Sequence, residues 1–212
     1  PADRIRIARL YGCSVTSINL DEHIKNIDEL SDVERSASFV AVRMAQCYKL
    51  QESDPSIWWS NQLGNVDNTK AHREQTGREI AEQMDGKIDA FVASIGTGGT
   101  LMGVAQALKE KHHDIVVSGV VPTDDPRIQW IQSRAVHDAL EKFGAPRLRF
   151  LIEDVLEQNI MDNEIVVRNE DAKNMADRLC KEEGLFCGMS SGANVHAAIE
   201  MAKTMKKGSK IG

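Results

Sequence analysis

The chain has 212 residues, 42% of them apolar and 27% charged, and its 26 Lys and Arg against 32 Asp and Glu leave a net charge of −6. That length supports one large domain or two small ones with an ordinary core, and the composition excludes a disordered tail, a collagen-like rod, a secreted miniprotein and a membrane span. The acidic balance argues against a nucleic-acid partner, which needs clustered cations.

In chain order, residues 1–11 read as a helix, with Ile5, Ile7, Ala8 and Leu10 as its apolar positions. Gly12 would stop it, and 13–18 then reads as a short strand. A second helix is predicted over about 33–50, with Val40, Met44 and Cys47 at helical spacing. A brief strand at 57–60 and a helix over about 70–84 follow. The alternation then becomes regular: a strand at 88–94, a glycine loop, a helix at 100–111 and a strand at 115–121. Residues 122–162 show no clear pattern. Beyond them come a strand at 164–167, helices at 170–183 and 191–206, and a strand begun at 210–211. Strands alternating with helices imply βαβ units and a parallel sheet covered on both faces.

The four cysteines, Cys13, Cys47, Cys180 and Cys187, make no C-x-x-C pair, and no histidine stands at zinc-ligand spacing from them. They read as free thiols in a reducing compartment, and no metal site is expected. No signal or transit sequence is read at the start, so the expected location is cytoplasmic. The chain opens on Pro1-Ala2-Asp3 and closes on Ser209-Lys210-Ile211-Gly212, and both ends are expected to be cuts through a longer protein.

The sharpest local signal is Ser94-Ile95-Gly96-Thr97-Gly98-Gly99-Thr100, between a predicted strand and helix. Glycines let backbone N–H groups turn toward one point, and the helix adds its own unpaired N–H groups and positive dipole end. Thr97 and Thr100 add hydroxyls, and the assembly suits a phosphate. A dinucleotide fingerprint would need glycine where Leu101 stands, and no P-loop lysine follows. A purely structural strand-to-helix turn remains the other reading.

This loop resembles the phosphate cradle of the pyridoxal-phosphate-dependent cysteine synthase family. Upstream, Asn61-Gln62-Leu63-Gly64-Asn65 and His72-Arg73-Glu74-Gln75-Thr76-Gly77-Arg78-Glu79-Ile80 resemble that family's Q-F-x-N and H-x-x-T-T-G-P-E-I stretches. Downstream, the run Glu183 to Ala193 resembles its E-G-I-x-x-G-I-S-S-G-A segment. The threonines at 97 and 100 favour cysteine synthase or the related cystathionine β-synthase over relatives whose loops carry three or four glycines.

The resemblance implies an incomplete α/β, parallel-sheet, two-domain fold of the tryptophan synthase β-like enzymes (fold type II). Residues 1–56 would be part of the smaller domain and 57–212 most of the larger. It implies pyridoxal 5′-phosphate as cofactor, bound through Gly96, Thr97, Gly98, Gly99 and Thr100. A bulky side chain at 98 would be expected to intrude on the phosphate. Gln62 would meet the substrate carboxylate, and Gly188 and Met189 would border the substrate channel. Gln62 reads equally as a surface polar residue, and Gly188 as a helix start; His72 reads as structural rather than as an acid or base. The implied reaction is β-replacement on an O-activated L-serine with sulfide to give L-cysteine. Cystathionine formation with homocysteine is the alternative within that chemistry. A homodimer is expected, as is a partner protein's C-terminal peptide docking at the active-site mouth.

The family's Schiff-base lysine lies in an S-x-K-D-R-like segment that has no counterpart here, so no catalytic residue is assigned in this chain. The T-S-G-N-T-G-like loop and the serine facing the pyridine nitrogen also lack counterparts. The family's N-P-A-N-P is Asn65-Val66-Asp67-Asn68-Thr69 here, and K-I-Q-G-I-G-A-G-F has no match between Asp125 and Asp162. The chain is therefore expected to be part of a longer enzyme, with an inactive binding protein of the same fold as the reading from another functional class.

Overall fold

A computed structural model of the chain describes residues 2–19, 22–123 and 135–212. They group into two compact units, Pro1–Trp58 with Gln129–Arg147, and Trp59–Ile128 with Leu148–Gly212.

In the first unit, α1 (Ala2–Leu10) carries Asp3 in its first turn and Arg9 in its last, both complementary to the helix dipole. The stretch 13–18 forms no strand; a Val/Ile/Thr run needs a ladder to pair with, and it finds none among the described residues. Helix α2 (Asp32–Ser53) starts at a reciprocal cap: the Ser31 hydroxyl accepts from the Glu34 N–H at 3.3 Å, and the Ser31 N–H donates to the Glu34 carboxylate at 3.0 Å. Its buried stripe of Ala37, Ala41, Val42, Met44 and Ala45 packs on a helix that begins at Ala135 and ends at Lys142.

The second unit holds the sheet. Helix α3 (Val66–Ala71) is capped by the Asn65 side chain, which accepts from the Asp67 N–H at 3.0 Å. It runs into a π-helical turn, His72–Thr76, and then α4 (Gly77–Gln83). The single helix expected over 70–84 is thus interrupted. At its junction, Gly77 lies so near α5 that a Cβ there would stand 2.6 Å from the Ala107 Cβ. Strand β1 (Ala90–Ser94) leads through the glycine loop into α5 (Gly99–Lys109), followed by β2 (Val116–Pro122). The Ala135–Lys142 helix of the first unit is α6, and α7 (Leu151–Glu157) returns the chain to the second. Strand β3 (Asn163–Val167), α8 (Asn169–Glu183) and α9 (Met189–Ala202) complete it.

The strands are parallel in the order β1-β2-β3, with Ala90 opposite Val116 and Ser118 opposite Asn163. The chain's last residues add to the free edge of β1. Ala90 bridges Ile211 in parallel, and the Asp89 carboxylate accepts from the Lys210 N–H at 2.7 Å. One sheet face, Ala90, Val92, Val120 and Val167, is buried under Ala172 of α8 and Ala193, Ala197 and Met201 of α9. Phe91, Ala93 and Val117 alternate to the other face and are buried too. Helix α5 contacts β1 without contributing to the first core, and it buries Leu101, Met102, Val104 and Leu108. The fold is therefore α/β with a parallel sheet, as the alternation implies. No described helix is long and apolar enough to cross a membrane.

Candidate functional site

All three strands run in one direction, so their carboxyl ends and the amino ends of the helices that follow them meet on one edge of the sheet. A cavity of about 460 Å³ opens there. Ser94, Val120, Pro122 and Val167 form its floor, the 95–100 loop one wall, and Asn169, Ala172, Met189, Ser190 and Ala193 the other. No ionisable side chain is among these lining residues, so the local field comes from backbone dipoles. Three helices point their amino ends at this edge, and they differ. Helix α8 carries Glu170 and Asp171 in its first turn, and Asp171 is held below the usual carboxylate range first by its hydrogen bond to Arg168. Helices α5 and α9 carry no acid there and have no side-chain cap. An added anion is favoured at the latter two ends and repelled at the first.

The glycine loop is the best-built part of this edge. Gly98 has φ +91°, the left-handed region that favours glycine, and it turns the chain into α5. Among the described residues, the N–H groups of Gly96, Thr97, Gly98 and Thr100 meet no acceptor of the chain. They are left for solvent or a ligand. The Thr97 hydroxyl oxygen accepts from the Gly99 N–H at 3.2 Å and from the Asn68 amide at 3.1 Å. His72 spans two hydroxyls, with Nε2 3.0 Å from Thr100 Oγ1 and Nδ1 3.0 Å from Thr76 Oγ1. The histidine is a brace for the loop and lines no part of the cavity.

Of the residues expected from the sequence, Gly96, Thr97, Gly98, Thr100 and Met189 line the cavity. Gly99 lies behind it, buried, with the Asn68 amide against its Cα. Gln62 is exposed and Gly188 forms the N-cap of α9; neither is among the lining residues. The nearest neighbours of a Cβ at 98 belong to α7 and are not among the lining residues. That Cβ would stand 3.2 Å from the Ile152 backbone and 3.3 Å from Val155 Cγ2. The sequence reading did not single out Asn68, Asn169 or Ser190 as site residues. Asn68 and His72 could have been found as an i, i+4 pair, since that spacing puts both on one helical face.

A family model described as pyridoxal-phosphate dependent enzyme matches residues 1–212. The chain belongs to that family. It is 40% identical over 149 residues to a cysteine synthase B of Campylobacter jejuni, covering 70% of this chain and 48% of that protein. To a cystathionine beta-synthase of Dictyostelium discoideum it is 36% identical over 161 residues, covering 76% and 32%. Among solved structures it is similar to a hydrogen sulfide-producing enzyme from Fusobacterium nucleatum, at TM-score 0.72 and 26% identity over 99% of this chain and 64% of that one. An O-acetylserine dependent cystathionine beta-synthase from Helicobacter pylori matches at TM-score 0.63 and 28% identity, over 77% and 51%. The chain spans about half or less of the length of these curated relatives. The structural neighbours are fold-type II enzymes of the family, in agreement with the parallel α/β sheet.

The residues present fit the phosphate end of the family's cofactor. Four N–H groups that meet no acceptor among the described residues belong to cavity-lining residues at the acid-free start of α5, where a left-handed glycine turns the chain into the helix.

Proposed function

We propose that this chain forms the phosphate-holding wall of a pyridoxal-phosphate-dependent enzyme that replaces the β-substituent of an O-activated L-serine with sulfide, giving L-cysteine. The observation that carries the reading is the Gly96–Thr100 loop, where residues with free N–H groups line a cavity at the carboxyl edge of the sheet. When bound, the cofactor supplies an electron sink for carbanion chemistry at an amino acid. The chain's own part is to bind and orient. Gly96, Thr97, Gly98 and Thr100 take the phosphate, Gly99 lets the loop pack closely on Asn68, and Met189 and Gly188 border the path of the amino acid. Gln62 is assigned to the substrate carboxylate through its side-chain amide, whose N–H groups can donate to carboxylate oxygens, while its backbone carbonyl accepts from Asn68 at 2.9 Å. No residue among those lining the cavity is given the role of moving a proton, since none of them is ionisable.

In the same proposal 1–56 is part of the smaller domain and 57–212, apart from the Gln129–Arg147 segment that groups with the first unit, is most of the larger, and the working form is a cytoplasmic homodimer. Steady-state assays of the full-length protein with O-acetyl-L-serine test the reading. Faster turnover with sulfide than with homocysteine is expected, and preference for homocysteine would replace it with cystathionine formation.

A further inference from the structure

Asn68 stands outside the cavity and touches two segments that bear on it. Its amide nitrogen donates to the Gln62 carbonyl at 2.9 Å and to Thr97 Oγ1 at 3.1 Å. A backbone carbonyl only accepts, so the Gln62 bond fixes which end of the amide is nitrogen and points the second N–H at Thr97. The Thr97 oxygen also accepts from the Gly99 N–H at 3.2 Å. A hydroxyl has two lone pairs and one proton. With both lone pairs occupied, the Thr97 hydroxyl can act toward a third group only as a donor, and Thr97 lines the cavity. The arrangement is tight as well, because a Cβ on Gly99 would collide with the Asn68 side chain.

We propose that Asn68 is a positioning residue that sets Thr97 as an obligate hydrogen-bond donor to a phosphate in the cavity. It also ties the Gln62 segment to the phosphate loop through one amide. This rests on the reading of the loop as a phosphate site. An acceptor-only anion needs a committed donor, and a hydroxyl free to reverse its proton would meet it lone pair first in part of its population.

The test measures dissociation constants of the purified protein for pyridoxal phosphate and for pyridoxal, which lacks the phosphate, in wild type, Asn68→Ala, Asn68→Asp, Thr97→Val and the Asn68→Ala/Thr97→Val pair. Far-UV circular dichroism and thermal melts monitor the fold. Loss of the Thr97 hydroxyl removes one charge-assisted bond and predicts about a ten- to hundredfold weaker phosphate preference in Thr97→Val. Asn68→Ala predicts a smaller loss, because its Thr97 can still donate in part of the population, and the pair should lose no more than Thr97→Val alone. Asn68→Asp preserves shape but offers a carboxylate that takes the Thr97 proton, so it should bind more weakly than Asn68→Ala. A role in packing alone predicts the opposite order. Additive losses in the pair, an unchanged preference in Asn68→Ala, or Asn68→Asp binding as well as wild type would overturn the proposal. A wild type that binds pyridoxal as tightly as its phosphate would overturn the phosphate-site reading along with it.

Discussion

Replacing Gly98 with valine strikes the loop in two ways that the geometry separates. At φ +91° a β-branched residue is strained by roughly 1–2 kcal/mol. Its Cβ would also stand 3.2 Å from the Ile152 backbone, where α7 cannot yield as a flexible side chain would. Overpacking of that kind costs about 1–3 kcal/mol. The sum, about 2–5 kcal/mol, falls on the cavity-lining segment that carries the four free N–H groups. Any displacement that relieves it moves those N–H groups, and each charge-assisted bond to a phosphate is worth roughly 1.5–3 kcal/mol. Gly98→Val should therefore lower both the unfolding midpoint and the amount of pyridoxal phosphate that survives gel filtration. Gln62→Ala should leave both unchanged, because only the Gln62 carbonyl is tied into the structure, and should raise KM for the amino acid. Cofactor content is read from absorbance after alkaline release and the midpoint from urea unfolding. A Gly98→Val protein with full cofactor and an unshifted midpoint would refute the reasoning. So would loss of cofactor from Gln62→Ala.

Gly192 lies where α9 crosses α8, and a Cβ there would collide with the Ala172 carbonyl oxygen and stand 2.7 Å from the Ala176 nitrogen. Gly192→Val should lower stability by about 1–3 kcal/mol or more, read by urea unfolding, because both obstacles are backbone. Ser31→Ala should cost about 1 kcal/mol at neutral pH through loss of the α2 cap, and its effect should depend on pH. The Glu34 carboxyl is held below its ordinary value of 4.5, first by the Ser31 side chain and then by its backbone N–H. A lowered folded-state value means that this stabilisation is whole above the ordinary value and is lost as pH falls through the folded one. The gap between wild type and Ser31→Ala should narrow in acid, and a gap that does not change with pH would contradict the cap.

The parts of this fold that were legible in the sequence are those whose local pattern and tertiary setting agree. Strands β1 and β2 are short apolar runs because both faces are covered, and α5 is apolar nearly all round for the same reason. The start of a strand at 210–211 was legible too, and it pairs with β1. Segments 13–18 and 57–60 have strand-like composition, yet no ladder takes them up among the described residues, and propensity alone does not make a strand. The helix over 70–84 was legible as helical but not as broken. Its π turn closes through the Gly77 N–H bonding the His72 carbonyl, a five-residue step with no sequence signature. Helices α6 and α7 were missed because they are short, and α7 starts at Phe150, whose N–H donates to the Glu153 carboxylate at 2.7 Å without a side-chain cap of its own.

At the site, the loop itself announced a phosphate through its glycines and threonines. Its braces did not announce themselves, because Asn68 and His72 act on Thr97 and Thr100 across 29 and 28 positions of chain. The opposite wall, with Asn169 and Ser190, is assembled only when β3 brings the amino ends of α8 and α9 beside β2.

The central claim is that the N–H groups of 96–100 hold the phosphate, and the most direct measurement watches those groups. Selective ¹⁵N-glycine and ¹⁵N-threonine labelling of the purified protein, followed by titration with pyridoxal phosphate and separately with pyridoxal, reports on Gly96, Thr97, Gly98 and Thr100 individually. The account predicts large downfield amide proton shifts at these four with pyridoxal phosphate and small ones with pyridoxal. Equal responses to the two compounds, or shifts that bypass the loop and appear instead at Thr69 in the cleft lined by Lys70, Arg73 and Arg78, would contradict it.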